Sequence, residues 1–380
     1  MERLHVEAAT ASLSKYGEEL CGDRVEIERR GDLLTVVLSD GLGSGVKANI
    51  LATLTTTLAA SMLRGGATIE DVVDTIGHTL PICQVRKVAY STFTILQIDG
   101  DGNAYIVEYD NPGAFYVSDG HVAPIPMEER RVGDKVVREA RFTVKSGDHI
   151  FVVSDGVIYA GIGGVLNLGW RWPSVADYIE RITRQDKKAA TLAKWMVGVC
   201  DQFYAGKPGD DATVVAVTVR EPRTATVAVG PPKDPTDDCR MVERLMGERG
   251  LKVVCGGTTG KIVARETGAQ LEVDLKSMQR GIPPTARLHG IDLITEGIIT
   301  LSKTLERLST PDEIHGDDGV SRLARVLLDA DHVVFLVGRA VNPAHQNPKL
   351  PISTTLKEQV LKDIVRFLQE NGKETQMAYF

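Results

Sequence analysis

No Cys-x-x-Cys pair occurs anywhere in the 380 residues. The five cysteines, Cys21, Cys83, Cys200, Cys239 and Cys255, are odd in number and scattered, which argues against a disulfide framework and a local zinc site. Positive charge is not in excess: 44 Lys and Arg against 51 Asp and Glu leave a net charge of −7. No nucleic-acid or anionic membrane surface is expected from that balance. No apolar run approaches the ~20 residues of a membrane span. The opening residues, MERLHVEAATASLSKYGEEL, are charged from the second position and lack a signal-peptide core. The expectation is a cytoplasmic protein without membrane or nucleic-acid partners. Internal repeats and low-complexity tracts are also missing.

What is present is ordinary globular composition, 43% hydrophobic and 25% charged, at a length that predicts two domains. Runs of high β-propensity fall at 33–39, 91–98, 103–109, 149–154 and 212–219, with helical stretches at 47–64 and 174–202. The Asp-Gly turns in IDGDGNAY join two of the strands as a hairpin. More strands than helices, several of them in hairpins, predict an antiparallel sheet system flanked by helices over 1–220. Residues 221–236, with Pro222, Pro231, Pro232 and Pro235, read as a proline-rich linker. Residues 237–380 read as a smaller α/β domain, with helices expected at 237–250, 292–308 and 319–329 and strands at 251–255 and 332–337. A last helix carries Leu356, Val360, Ile364, Phe367 and Leu368 on one face.

Four acidic sites in the first half share a context: Gly22-Asp23, Ser39-Asp40-Gly41, Ser154-Asp155-Gly156 and Gly209-Asp210-Asp211. Two are near copies, VVLSDG and FVVSDG, each running an apolar strand into Ser-Asp-Gly. One Asp-Gly after a strand is an ordinary turn. Several carboxylates at one sheet rim repel one another unless cations hold them, and hard divalent cations take oxygen ligands. Two ions about 3.5–4 Å apart activate a bridging water for attack on phosphorus.

CGDRVEIERRGDLLTVVLSDGLGSGVKAN, GDHIFVVSDGV and GDDATVVAVTV resemble, in order and spacing, the metal-site motifs of metal-dependent serine/threonine protein phosphatases. This is the PPM or protein phosphatase 2C superfamily, and the match is to its bacterial branch typified by stage II sporulation protein E. The resemblance spans roughly 17–219. It implies an αββα sandwich of two antiparallel sheets with flanking helices, and a two-metal site for Mn²⁺ or Mg²⁺. It implies that Asp40 bridges both ions, the Gly41 carbonyl binds one, Asp23 is the family's first acid, and Asp155 and Asp210 complete the second. Register decides between Asp210 and Asp211, with Asp211 as the alternate. The implied activity is hydrolysis of phosphoserine or phosphothreonine in a bacterial regulatory protein, such as an anti-sigma-factor antagonist, by a metal-bridging hydroxide. Ser44 departs mildly from the family pattern. Lys47 and Arg24 flank the ligands as candidates to attract the phosphate dianion, or serve as solvated surface charges. His78, His121 and His149 are not nominated as the general acid. A homodimer is compatible with the resemblance.

In the C-terminal half, Gly256, Gly257, Thr258, Thr259 and Lys261 form a glycine-rich turn between a strand and a helix. The spacing fails the P-loop pattern. It still allows an anion or nucleotide cradle, or simply a structural turn. Glu296, expected in an apolar helix, is a buried partner for Thr258, Thr259 or Lys261 or else a surface acid, and His345 is a candidate ligand contact. By analogy with the phosphatase branch, this half is regulatory and takes a small-molecule effector. Two further readings stay open: a catalytically silent phosphatase-like binding module, and a C-terminal small-molecule enzyme or sensor that the phosphatase serves.

Overall fold

The computed structural model describes residues 3–79, 91–132, 135–279, 281–310, 314–340 and 353–380. Cys83 and His345 lie outside the described residues. Two compact units divide the chain, Met1–Glu221 and Pro222–Phe380.

The first unit opens with β1 (His5–Leu13), β2 (Asp23–Arg30) and β3 (Leu33–Gly41), followed by α1 (Gly45–Arg64) and α2 (Ile69–Thr79). Next come β4 (Ser91–Ile98), β5 (Asn103–Tyr109), β6 (Phe115–Ser118), β7 (His121–Ala123), β8 (Glu128–Val132), β9 (Lys135–Thr143) and β10 (His149–Val153). It closes with α3 (Asp155–Ile158), α4 (Trp172–Gln185), α5 (Ala189–Phe203) and β11 (Ala212–Arg220). The strands form two antiparallel sheets, ordered β1-β11-β10-β6-β7 and β2-β3-β4-β5-β9-β8. Period-two alternation explains how they stack. In β3, Val36 and Leu38 join Val152, Val215 and Val217 in a core between the sheets. Val37 points outward to Ala59, Leu63 and the apolar side of α2. On the other sheet Phe151, Val153, Val214 and Ala216 face Ile179, Leu192 and Met196 of α4 and α5. The layers are helix, sheet, sheet, helix. Each fully buried Ile, Leu, Val or Phe contributes about 1.5–3 kcal/mol, so this three-part core is what orders the strand ends.

Two expectations for this unit change. The stretch 174–202 is two helices, because Asp186 turns the chain between them, accepting from Lys188 N at 2.7 Å. And α1 is, among the described residues, the one helix long and apolar enough to cross a membrane by length and composition. Its Ala48, Ala52, Ala59 and Ala60 are buried and form the seat of α1 on the sheet. The apolarity that passes a membrane test is here partly a close-packed small-residue face.

The second unit runs β12 (Thr224–Val229), α6 (Asp238–Gly247), β13 (Leu251–Cys255), α7 (Gly257–Thr267), β14 (Glu272–Asp274), β15 (Thr285–Leu288) and β16 (Ile291–Thr295). It ends with α8 (Ile298–Leu308), α9 (Gly319–Asp329), β17 (His332–Val337), α10 (Ser353–Glu370) and β18 (Glu374–Tyr379). Its single sheet has the order β14-β15-β16-β13-β12-β17-β18. The strands from β16 to β18 are all parallel, and β14 and β15 add an antiparallel edge. Met241, Leu245 and Val263 of α6 and α7 cover one face. Leu301, Leu323 and Ile364 of α8, α9 and α10 cover the other.

The expected linker needs correction. Residues 224–229 are the central strand β12, with Ala225, Val227 and Ala228 fully buried. Pro222, Pro231 and Pro232 bracket that strand and take no ladder position in it. The expected helix 292–308 also needs correction. It divides into β16 and α8, with the break at Glu296 and Gly297. A short apolar run does not by itself distinguish a buried strand from a helix.

Candidate active site

Asp23 and Asp40 face each other directly across β2 and β3. Both share the parity of Val25, Ile27, Val36 and Leu38, which point between the sheets. From the opposite sheet, β10 ends at Val153 and delivers Ser154 and Asp155, while Asp210 and Asp211 lead into β11, the neighbour of β10. One rim of the sandwich therefore gathers acids from four chain segments.

Ser154, wholly buried, stitches the two sheets together at this rim. Its Oγ donates to Asp23 Oδ2 at 2.7 Å and accepts from Thr213 N at 2.8 Å. Asp211, also buried, accepts from Lys15 N at 3.0 Å and ties the β1–β2 connection to the rim. Asp210 Oδ1 accepts from Asp211 N at 3.0 Å. Asn49 Nδ2 on α1 donates to Cys21 O at 2.8 Å, which fixes the approach to Asp23. Reasoning from sequence missed Ser154, Thr213, Lys15 and Asn49. The serine repeated in both Ser-Asp-Gly copies was the available signal.

Both glycines that follow the duplicated acids are required by backbone contact. A Cβ on Gly41 would stand 2.0 Å from Ala48 O of α1. One on Gly156 would stand 2.0 Å from Asp211 O. No side chain fits in either place, and each closure brings the preceding aspartate to the rim. Tyr204 Oη donates to Gly156 O at 2.8 Å and holds the second closure from behind.

The electrostatics are those of acids crowded together with little countercharge, Lys15 near Asp210 being the cation that relieves them. Burial, then the charges of Asp23, Asp155 and Asp210, push Asp40 up to about 9. Burial pushes Asp23 up to about 7, against the relief that the Ser154 hydroxyl supplies. Asp155 is raised by burial and then by Asp210, and Asp210 is raised by burial. Cys21 is pushed up to about 12 by burial and then by Asp23, so it stays a neutral thiol and offers no thiolate nucleophile.

These donors suit a hard divalent cation: every candidate ligand is an oxygen, and Asp23 Oδ1 is buried with no partner among the described residues. Among those residues, however, no three His, Cys, Asp or Glu side chains close into a ready-made ligand set. The acids are within electrostatic reach of one another, but Asp23, Asp210 and Asp211 each lean on a protein donor. Asp40, Asp155 and Asp210 influence one another directly, whereas one oxygen of Asp211 is taken by Lys15 N.

The remaining sequence candidates fall differently. Arg24 is corrected: it alternates to the face opposite Asp23 and pairs there with Glu26 at 3.3 Å. Lys47 stays exposed on the first turn of α1. His78 sits on α2 against Asp74 O, His121 pairs with Glu180, and His149 meets Thr218 at the end of β10 remote from Asp155. In the second unit Gly256 is the N-cap of α7, with Gly257, Thr258, Thr259 and Lys261 on its first turns. Glu296 is corrected from a helix residue to the β16–α8 turn, and its buried Oε2 bonds to neither threonine nor to Lys261.

Among solved structures, the phosphatase domain of SpoIIE from Bacillus subtilis aligns at 21% identity and a TM-score of 0.44, covering 58% of this chain and 95% of that one. The RsbU and RsbW domains of a Mycobacterium tuberculosis protein align at 18% identity and 0.46, covering 64% and 68%. RsbX in complex with magnesium aligns at 17% and 0.41, covering 58% and 100%. No curated protein matches. The profile described as Stage II sporulation protein E (SpoIIE) matches residues 30–220, half of the chain. This protein belongs to the SpoIIE family.

Proposed function

We propose that the first unit is a divalent-cation-dependent phosphatase that hydrolyses phosphoserine or phosphothreonine in a regulatory protein. The observation that carries this reading is the convergence of Asp40 and Asp155, from duplicated motifs on different sheets, at one rim beside Asp23 and Asp210. Asp40, the Gly41 carbonyl, Asp155, Asp210 and Asp23 would hold Mn²⁺ or Mg²⁺. A bound divalent cation supplies acidified water and charge neutralisation at phosphorus. The chain's own groups do the positioning. Ser154 orients Asp23, Asp211 anchors the Lys15 connection, and the Gly41 and Gly156 contacts set the spacing of Asp40 and Asp155. Exposed Lys47 offers a positive charge to an incoming phosphate dianion. In the reaction, water oxygen bonds to phosphorus, the bond from phosphorus to the serine or threonine oxygen breaks, and that oxygen gains a proton.

A protein substrate suits the surface beyond α3. Tyr159, Ile162, Val165 and Leu168, close together in sequence, are all at least half exposed there, and exposed apolar side chains beside the site suit a macromolecule rather than a small ester. A second reading, a silent binding module, is favoured by the lack of a closed ligand set among the described residues. Hydrolysis of p-nitrophenyl phosphate with Mn²⁺ or Mg²⁺, beside Asp40→Asn and Asp155→Asn, separates the two. Cation-dependent turnover that collapses in both variants supports the phosphatase. Inactivity of both the full chain and residues 1–221, with no cation binding, establishes the silent module.

A further inference from the structure

In chain order the parallel strands of the second unit lie 3-2-1-4-5 across the sheet, with β12 as the first. Open parallel sheets form a crevice at the carboxyl ends of their strands where that order reverses. Here it reverses between β12 and β17. Beside that point, the turns that follow β12, β13 and β16 meet through glycines. A Cβ on Gly256 would lie 3.9 Å from Gly230 N, and one on Gly297 would lie 3.7 Å from Gly256 Cα.

Several polar groups lie at these strand ends, two of them without an internal partner among the described residues. The α7 N-terminus has Gly256 as N-cap, with no side-chain cap, and a Cβ on Gly257 would meet only open space. Thr259 is fully buried, yet its Oγ1 has no hydrogen-bond partner among the described residues. That hydroxyl points back at the N-cap, 3.1 Å from where a Gly256 Cβ would be. Glu296 Oε2, one residue before Gly297, is likewise buried and without a partner among the described residues. On the far side of Gly230, Lys357 Nζ donates to Gly338 O at 2.5 Å and lies 2.7 Å from a Gly230 Cβ position.

Gly297, next to Glu296, packs on Gly256, yet the Glu296 Oε2 makes no hydrogen bond to the α7 amides, so the two ends call for different chemistry. The amides and the Lys357 ammonium want acceptors, whereas Glu296 wants a donor. The turn after β12 reads Gly-Pro-Pro-Lys-Asp-Pro; its prolines lack N–H groups, so it cannot cradle a dinucleotide pyrophosphate in the usual place.

We propose that this crevice binds a small phosphate monoester carrying free hydroxyls, of the sugar-phosphate or mononucleotide class. The phosphate takes the amides of Gly257, Thr258 and Thr259 and the Thr259 hydroxyl. Lys357 balances its charge, and a ligand hydroxyl donates to Glu296.

Calorimetric titration of the full chain tests this, with EDTA present so that no divalent cation draws phosphate to the first unit. The probes are inorganic phosphate, ribose 5-phosphate and adenosine 5′-monophosphate. At least one ester is expected to bind about tenfold or more tighter than inorganic phosphate, and Thr259→Val and Lys357→Met each to weaken it about tenfold. Ribose 5-phosphate binding as tightly as the nucleotide assigns a sugar phosphate; a tighter nucleotide assigns a mononucleotide. Thr259→Val is nearly isosteric, and circular dichroism melts verify both variants, so either one suffices if the other fails to fold. No binding at millimolar probe, equal binding of inorganic phosphate, or binding unchanged in the folded variants overturns the proposal.

Discussion

Asp40 illustrates the conflict between function and stability at the residue scale. Its carboxyl is half-buried among Asp23, Asp155 and Asp210, and is pushed up to about 9. A carboxyl whose folded pKa is raised stabilises the fold below its unfolded pKa, and that contribution is lost as pH rises through the folded value. With Asp23 at about 7 and Asp40 at about 9, the protein in EDTA should lose stability between about pH 4 and 9. Mn²⁺ should reverse the loss most strongly at the alkaline end, because binding displaces those protons. Scanning calorimetry across that range reads both trends. At a hundredfold excess over Kd the cation should raise Tm by about 5–10 °C for a unit of this size. Asp40→Asn should melt higher than the parent in EDTA and show little of the Mn²⁺ shift. A lower Tm in EDTA would mean that repulsion is not what strains the rim.

At the element scale, two helices make opposite demands on glycine. Gly41 ends β3 directly under the backbone of α1, so Gly41→Ala must push the helix off the sheet. The expected cost is about 3 kcal/mol or more, read as a lower urea midpoint together with loss of activity. Gly198 lies exposed within α5, and a Cβ there meets nothing within 4 Å. Gly198→Ala should therefore stabilise by about 0.5–1 kcal/mol. A destabilising effect in the same urea series would show that α5 has a contact on that face. Five strands of the first sandwich, β3, β4, β5, β10 and β11, were legible as runs of high β-propensity that are buried along most of their length. β1, β2 and β6 to β9 were not read from sequence; in β1 and β8, HVEAATASL and EERRV carry few large apolar residues, and only pairing with β11 and β9 makes them strands. β16 was misread because burial on both faces erases the period on which a helix-or-strand decision depends.

For the whole molecule, the position of β12 decides where the chain can be cut. Residues 222–380, expressed alone, should melt cooperatively, while 237–380 should not, because the latter lacks the central strand that β13 and β17 both pair with. A cooperative melt from 237–380 would return residues 222–236 to the status of a linker. Some things were determined by the sequence itself: two successive α/β units, and the identity of the acids that converge in the first. Ser-Asp-Gly after an apolar strand is a local instruction, repeated, and its residues remain visible however the chain folds. Other things were decided only in three dimensions. Arg24 was lost from the site by strand parity, Ser154 gained its role by crossing to the other sheet, and the crevice of the second unit exists because strands far apart in sequence end side by side. The physical reason is that a residue's chemistry is local, whereas its burial and its neighbours are set by pairing over long sequence separations.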